Sequence, residues 1–190
     1  MAINLTKGQK LSLSKEVTGL SSVVVGLGWD VAKRGLFGSL YDIDCDASAL
    51  VFDSNDLYKG IAYYGNKTVA NGCVKHHGDN LTGAGKGDDE QISVDLKNMP
   101  SDISKVVFAV NIYNCASRRQ DFGMIKNAFI RLVDKTTNKE ICRYNLSDKY
   151  SGQTAMVFAE VYKEDNEWKV KAIGEGNKAT SINNLINMYR

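Results

Sequence analysis

The residues best equipped for chemistry lie in one stretch: His77-Gly78-Asp79-Asn80-Leu81-Thr82-Gly83-Ala84-Gly85-Lys86-Gly87-Asp88-Asp89-Glu90. From Asp79 to Glu90, four carboxylates stand against one lysine, a local charge of −3 in a chain whose net charge is +2. Two like charges ~6 Å apart at an effective dielectric of ~20 cost roughly 2–3 kcal/mol. A bound divalent cation turns that repulsion into attraction. Calcium takes roughly 6–8 oxygen ligands from carboxylates, amides and backbone carbonyls. Asp79, Asn80, Thr82, Asp88, Asp89 and Glu90 carry side-chain oxygens. Gly83, Gly85 and Gly87 admit positive φ and let carbonyls turn inward.

The stretch lacks the Asp-x-Asp-x-Asp-Gly opening and helical flanks of an EF-hand. It has the glycines of a phosphate cradle but not the Gly-Lys-Ser/Thr ending, and its carboxylates repel a bare anion. The plainer alternative is a solvated acidic turn between strands.

A second acidic segment is Tyr41-Asp42-Ile43-Asp44-Cys45-Asp46. Strand alternation puts Asp42, Asp44 and Asp46 on one face and Ile43 and Cys45 on the other. Aspartate is depleted in strands, so the pattern needs a reason. An edge strand protected against aggregation is one. Same-face neighbours stand ~6.6 Å apart, so Asp42 and Asp46 are ~13 Å apart on a straight strand and cannot share one ion. Asp44 and Asp46 are therefore the candidates that meet the glycine loop, with Asp42 peripheral or more than one ion bound. Asn127 offers an amide oxygen, and Arg131 a partner for a carboxylate. His76 and His77 point to opposite faces of a strand, so at most one donates to a nearby carboxylate.

These groups need a scaffold. At 190 residues, with 43% hydrophobic and 24% charged residues, the chain reads as one soluble domain spanning 1–190. The small net charge gives no pull toward nucleic acid. No signal peptide or membrane-length apolar run is seen. Cys45, Cys73, Cys115 and Cys142 are scattered without a Cys-x-x-Cys pair, which argues against zinc. Read as reduced thiols, they suggest a cytoplasmic location.

The elements that position the acidic groups are strands. Ile3–Leu5, Leu11–Leu13, Ser22–Gly28, Ile61–Tyr64, Cys73–His76, Gln91–Leu96, Lys105–Asn114, a strand ending near Asp134, Glu140–Asn145, Thr154–Lys163 and Glu167–Gly174 carry strand patterns. Asn71-Gly72, Met99-Pro100 and Asp165-Asn166 mark turns. Lys33–Gly38 reads as a basic loop. Ile182, Leu185, Ile186 and Tyr189 recur at helical spacing behind Thr180 or Ser181, predicting a short amphipathic C-terminal helix. The fold class expected is all-β: an antiparallel β-sandwich with short peripheral helices and a C-terminal helix. Loops at one end of a sandwich cluster, which brings residues near 44 and near 80 together.

These segments resemble the TerD family, named for tellurite resistance and linked to chemical stress in bacteria. The resemblance rests on Asp42 to Ala49, on Gly78 to Glu90, and on Gly26-Leu27-Gly28-Trp29-Asp30. It extends to Gln120-Asp121-Phe122-Gly123, Asn127 to Arg131, Trp168-Lys169 and Ala172-Ile173-Gly174. Val170 stands where phenylalanine is expected, a difference that touches packing. The resemblance implies a calcium-binding sandwich in the cytoplasm, working with other stress-resistance proteins. It supplies no reaction.

The reading that follows is a non-enzymatic calcium-binding or scaffold module holding more than one Ca²⁺. Its expected ligands are Asp44, Asp46, Asp79, Asn80, Gly83, Gly85, Asp88, Asp89, Glu90 and Asn127. Calcium would order the loops into a surface for stress-resistance partners or a membrane-associated complex, with no nucleic acid. The alternative is a metal-dependent phosphoesterase or nucleotide-handling enzyme, with His76 or His77 as acid or base. A structural calcium site supporting a homo-oligomer is a third.

Overall fold

The computed structural model describes residues 2–31, 43–78, 87–146 and 150–189. The predicted basic loop at 33–38 and Asp42 lie outside them. The strands are β1 (Ile3–Leu5), β2 (Lys10–Ser12), β3 (Ser22–Val31), β4 (Cys45–Phe52), β5 (Tyr58–Ala62), β6 (Thr68–Val69) and β7 (Val74–His76). They continue with β8 (Glu90–Asp95), β9 (Lys105–Ile112), β10 (Ile125–Asp134), β11 (Lys139–Asn145), β12 (Ala155–Glu164) and β13 (Glu167–Asn177). Three short helices accompany them: α1 (Leu13–Glu16), α2 (Cys115–Arg118) and α3 (Ile182–Asn187).

The strands form a sandwich of two sheets. The first runs β1-β11-β10-β3-β8-β7-β6 and the second β2-β13-β12-β9-β4-β5. Every pairing is antiparallel except β1 with β11. β9 lies between β12 and β4, which explains its apolar residues on both faces. The turn at Lys7-Gly8 does not make a hairpin: β1 joins the first sheet and β2 the second. Asp165 and Asn166 both take positive φ between β12 and β13, as a tight hairpin requires.

Alternation divides each strand of the second sheet between two apolar clusters. Cys45, Ala47, Ala49 and Val51 of β4 face the interior with Phe108, Val110 and Ile112 of β9. Leu50 and Phe52 face outward with Val107 and Ala109, where Leu185 and Ile186 of α3 cover them. Ser181 caps α3, its hydroxyl accepting from the Asn184 N–H at 3.2 Å. The amphipathic helix read at the C-terminus thus closes the outer face of the second sheet.

Candidate metal centre

One end of the sandwich gathers the end of β3 and the starts of β8 and β10. The registers Leu27 to Glu90, Gly28 to Phe129 and Asp30 to Lys126 bring them side by side. The glycines of β3 shape this end. A Cβ on Gly26 would collide with the Asp88 carboxyl group, and one on Gly28 with the Phe129 ring and the Gly87 carbonyl. Residues 87–89 therefore lie across β3 in space that any side chain would fill.

Each acidic residue of this segment has a separate employment. Asp88 accepts from Arg131 Nε at 2.7 Å and Nη2 at 3.0 Å, a two-point guanidinium contact. Gln91 Nε2 donates to the same carboxylate at 3.0 Å, and Arg131 also donates to Glu140 at 3.1 Å. Asp89 extends the β3 ladder: its N–H donates to the Leu27 carbonyl, and its Oδ2 accepts from the Trp29 N–H, both at 2.8 Å. Burial pushes the Asp89 carboxyl above its ordinary range; Asp30 and Asp88 add to the rise, and the Trp29 N–H opposes it.

Glu90 ties the two sheets together. It points inward, only 2% exposed, and its Oε2 accepts from the Ala47 N–H of β4 at 2.9 Å. Pairing of β4 with β5 starts at Ala49, so this N–H lies past the last rung. His76 Nε2 stands 2.9 Å from the same oxygen, while its Nδ1 accepts from the Gly78 N–H at 3.2 Å. An accepting Nδ1 places the imidazole proton on Nε2, so a neutral His76 donates to Glu90. His77 turns the other way, to Ser93 Oγ at 2.9 Å. Glu90 and Ala47 thus join the acidic loop to the acidic segment before β4.

The other predicted ligands divide as follows. Asn127 sits at a register shift of β10 with φ +52, and its Nδ2 donates to Asp30 Oδ2 at 2.7 Å. Asp46, 4% exposed, turns to the outer face, where Asn111 Nδ2 approaches its Oδ2 at 3.4 Å. Asp44 precedes β4, and its carbonyl accepts from the Tyr113 N–H at 2.8 Å. Asp79, Asn80, Gly83 and Gly85 lie outside the described residues.

Asp30 was not among the predicted ligands. Its signal was present, a lone carboxylate at the end of an apolar strand, but it takes the register with β10 to put it beside Asn127. Cys45 lies among these acids with its thiol pushed well above the usual range, by burial first and then by Asp46, Asp44, Glu90 and Asp89. It is no nucleophile at neutral pH.

No three His, Cys, Asp or Glu side chains among the described residues converge closely enough to hold an ion by themselves. The donor set is nonetheless that of a hard cation. It is built of carboxylates and amides, and Asn111 Oδ1, buried beside Asp46, has no hydrogen-bond partner among the described residues. An ion held here would take amide, carbonyl or water oxygens along with carboxylates.

Comparison with known proteins bears on the chain's family and fold. The TerD domain family model matches residues 1–189. Stress response protein SCP2 of Bacillus subtilis (strain 168) is 48% identical, with 100% of both chains covered. Tellurium resistance protein TerD of Serratia marcescens is 43% identical over 93% of this chain and 91% of its own. A solved homologue of telluride resistance protein (TerD) from Streptomyces coelicolor A3(2) superposes with a TM-score of 0.69. It covers 90% of this chain and 99% of its own at 18% identity, a likeness of fold.

Proposed function

The chain belongs to the TerD family, and from that premise we propose that it is a calcium-binding, non-catalytic module of the stress response. One observation carries the reading. Asp89, a carboxylate made costly by burial and by Asp30 and Asp88, lies at one strand end with Asn127, held in the left-handed region against Asp30. A hard dication would relieve the repulsion within such a cluster.

Asp30, Asp89 and Asn127 would hold one ion; Asp79 and Asn80, expected ligands from the sequence, lie outside the described residues. Asp44, Asp46 and Asn111 would hold a second. Asp88 and Glu90 serve as fasteners rather than ligands, the first to Arg131 and the second to His76 and Ala47. Bound calcium supplies charge neutralisation and fixes the loops. The resulting surface docks other stress-resistance proteins in the cytoplasm, in a membrane-associated complex. Of the two histidines the phosphoesterase alternative would use, His76 is 1% exposed and engaged with Glu90, and His77 turns to Ser93 Oγ.

Calorimetry on chelator-treated protein tests the reading. Calcium is expected to bind in preference to magnesium. Asp89→Asn and Asp30→Asn are each expected to weaken binding at least tenfold, about 1.4 kcal/mol. Absence of heat at millimolar calcium, or preference for magnesium, rejects it.

A further inference from the structure

Beside the acidic cluster lies a cleft of about 480 Å³ whose chemistry calcium alone does not explain. Its lining includes Asp30, Asp89, Asn127, Phe129, Arg143 and Asn145. Its volume falls in the ~300–1,000 Å³ range of small-molecule sites. Arg143 is arranged as a fixed fork. Its guanidinium stacks on the Phe129 ring, 3.6 Å from the centroid, and its Nε donates to Asn145 Oδ1 at 3.0 Å. Glu140 stands 3.8 Å from Nη1, and the side chain remains 29% exposed. A stacked guanidinium with its Nε secured loses little freedom when its outer edge takes an oxyanion.

The same cleft carries two carboxylates, so metal-free protein repels the anion that Arg143 suits. A dication on Asp30 and Asp89 would cancel that repulsion and offer a second anchor in the cleft that Arg143 lines. Two separate anchors in one cleft favour a phosphate monoester over a carboxylate: its three terminal oxygens point in different directions, whereas carboxylate oxygens share a plane.

We propose that this cleft binds a phosphate monoester between Arg143 and the calcium of the Asp30–Asp89 site, so that anion and calcium each require the other for tight binding. This rests on the calcium reading above. Linkage makes the coupling reciprocal: the factor by which calcium tightens the anion equals the factor by which the anion tightens calcium.

The experiment is calorimetry with glycerol 3-phosphate in the presence of calcium and of chelator, with acetate as control. Sedimentation with vesicles carrying phosphatidic acid, a lipid phosphate monoester, is run alongside. The expected results are glycerol 3-phosphate binding only with calcium, at least fivefold tighter calcium binding with the ester present, and no effect of acetate. Arg143→Met, which keeps bulk over Phe129, and Arg143→Lys, which keeps charge but not the fork, should each lose the ester tenfold or more. Both should retain calcium stoichiometry and melting temperature. Response to the vesicles but not the soluble ester assigns the phosphate to a lipid headgroup; response to the soluble ester assigns it to a free metabolite. Calcium binding without ester coupling overturns this proposal and leaves the calcium reading standing. Absence of calcium binding overturns both, and ester binding indifferent to calcium or to Arg143 overturns the bridge.

Discussion

At the scale of single residues, the account turns on which charged groups are already engaged. Asp88, Glu90 and His76 have close protein partners, and Asp89 accepts from the Trp29 N–H amid like charges. Its carboxyl is raised, so its ionised form costs stability once pH rises through the folded value; a bound dication would offset that cost. His77 shifts in the other sense from the usual imidazole. Burial lowers it below the ordinary 6.5, and Lys75, Lys135 and His76 add to the shift. A depressed base favours the folded state while neutral. That contribution is complete above about pH 6.5 and is lost as pH falls toward the folded value. Urea midpoints measured across this range should fall more steeply for the natural protein than for His77→Gln; parallel slopes contradict the assignment.

At the scale of elements, β3 and the 87–89 segment form one unit because Gly26 and Gly28 leave room for it. Gly26→Ala must displace Asp88 from Arg131, whereas Asp88→Ala removes the group that would be displaced. Breaking this pair, partly open to water through Arg131, costs about 1–3 kcal/mol. Combining the substitutions should cost less than the sum of the singles by at least about 0.5 kcal/mol in urea unfolding. Strict additivity shows that the two do not share one interaction. These elements also show what the sequence could and could not tell. Alternation in β8 and β13, the apolar run of β9, the Asp165-Asn166 hairpin and the spacing of α3 are local patterns and were readable. The separation of β1 and β2 into different sheets was not, because each is only three residues long and depends on distant partners. The role of Gly26 is visible only once Asp88 lies over it. Asp30 becomes a partner of Asn127 only through a register shift, and Arg143 becomes a fork only on Phe129. Arg131 was readable as a carboxylate's partner, though not which carboxylate.

At the scale of the whole molecule, the sandwich brings two acidic segments far apart in sequence to one end and fastens them through Glu90 to Ala47. The rest of the architecture keeps that end in register: an apolar interior between the sheets and a second cluster under α3. The central claim is that the charge gathered there is balanced by calcium. Anomalous scattering from crystals grown with calcium tests it most directly. The account predicts a peak within ~2.3–2.6 Å of a carboxylate oxygen of Asp30 or Asp89. A calcium-soaked crystal with no anomalous peak at either residue would contradict it.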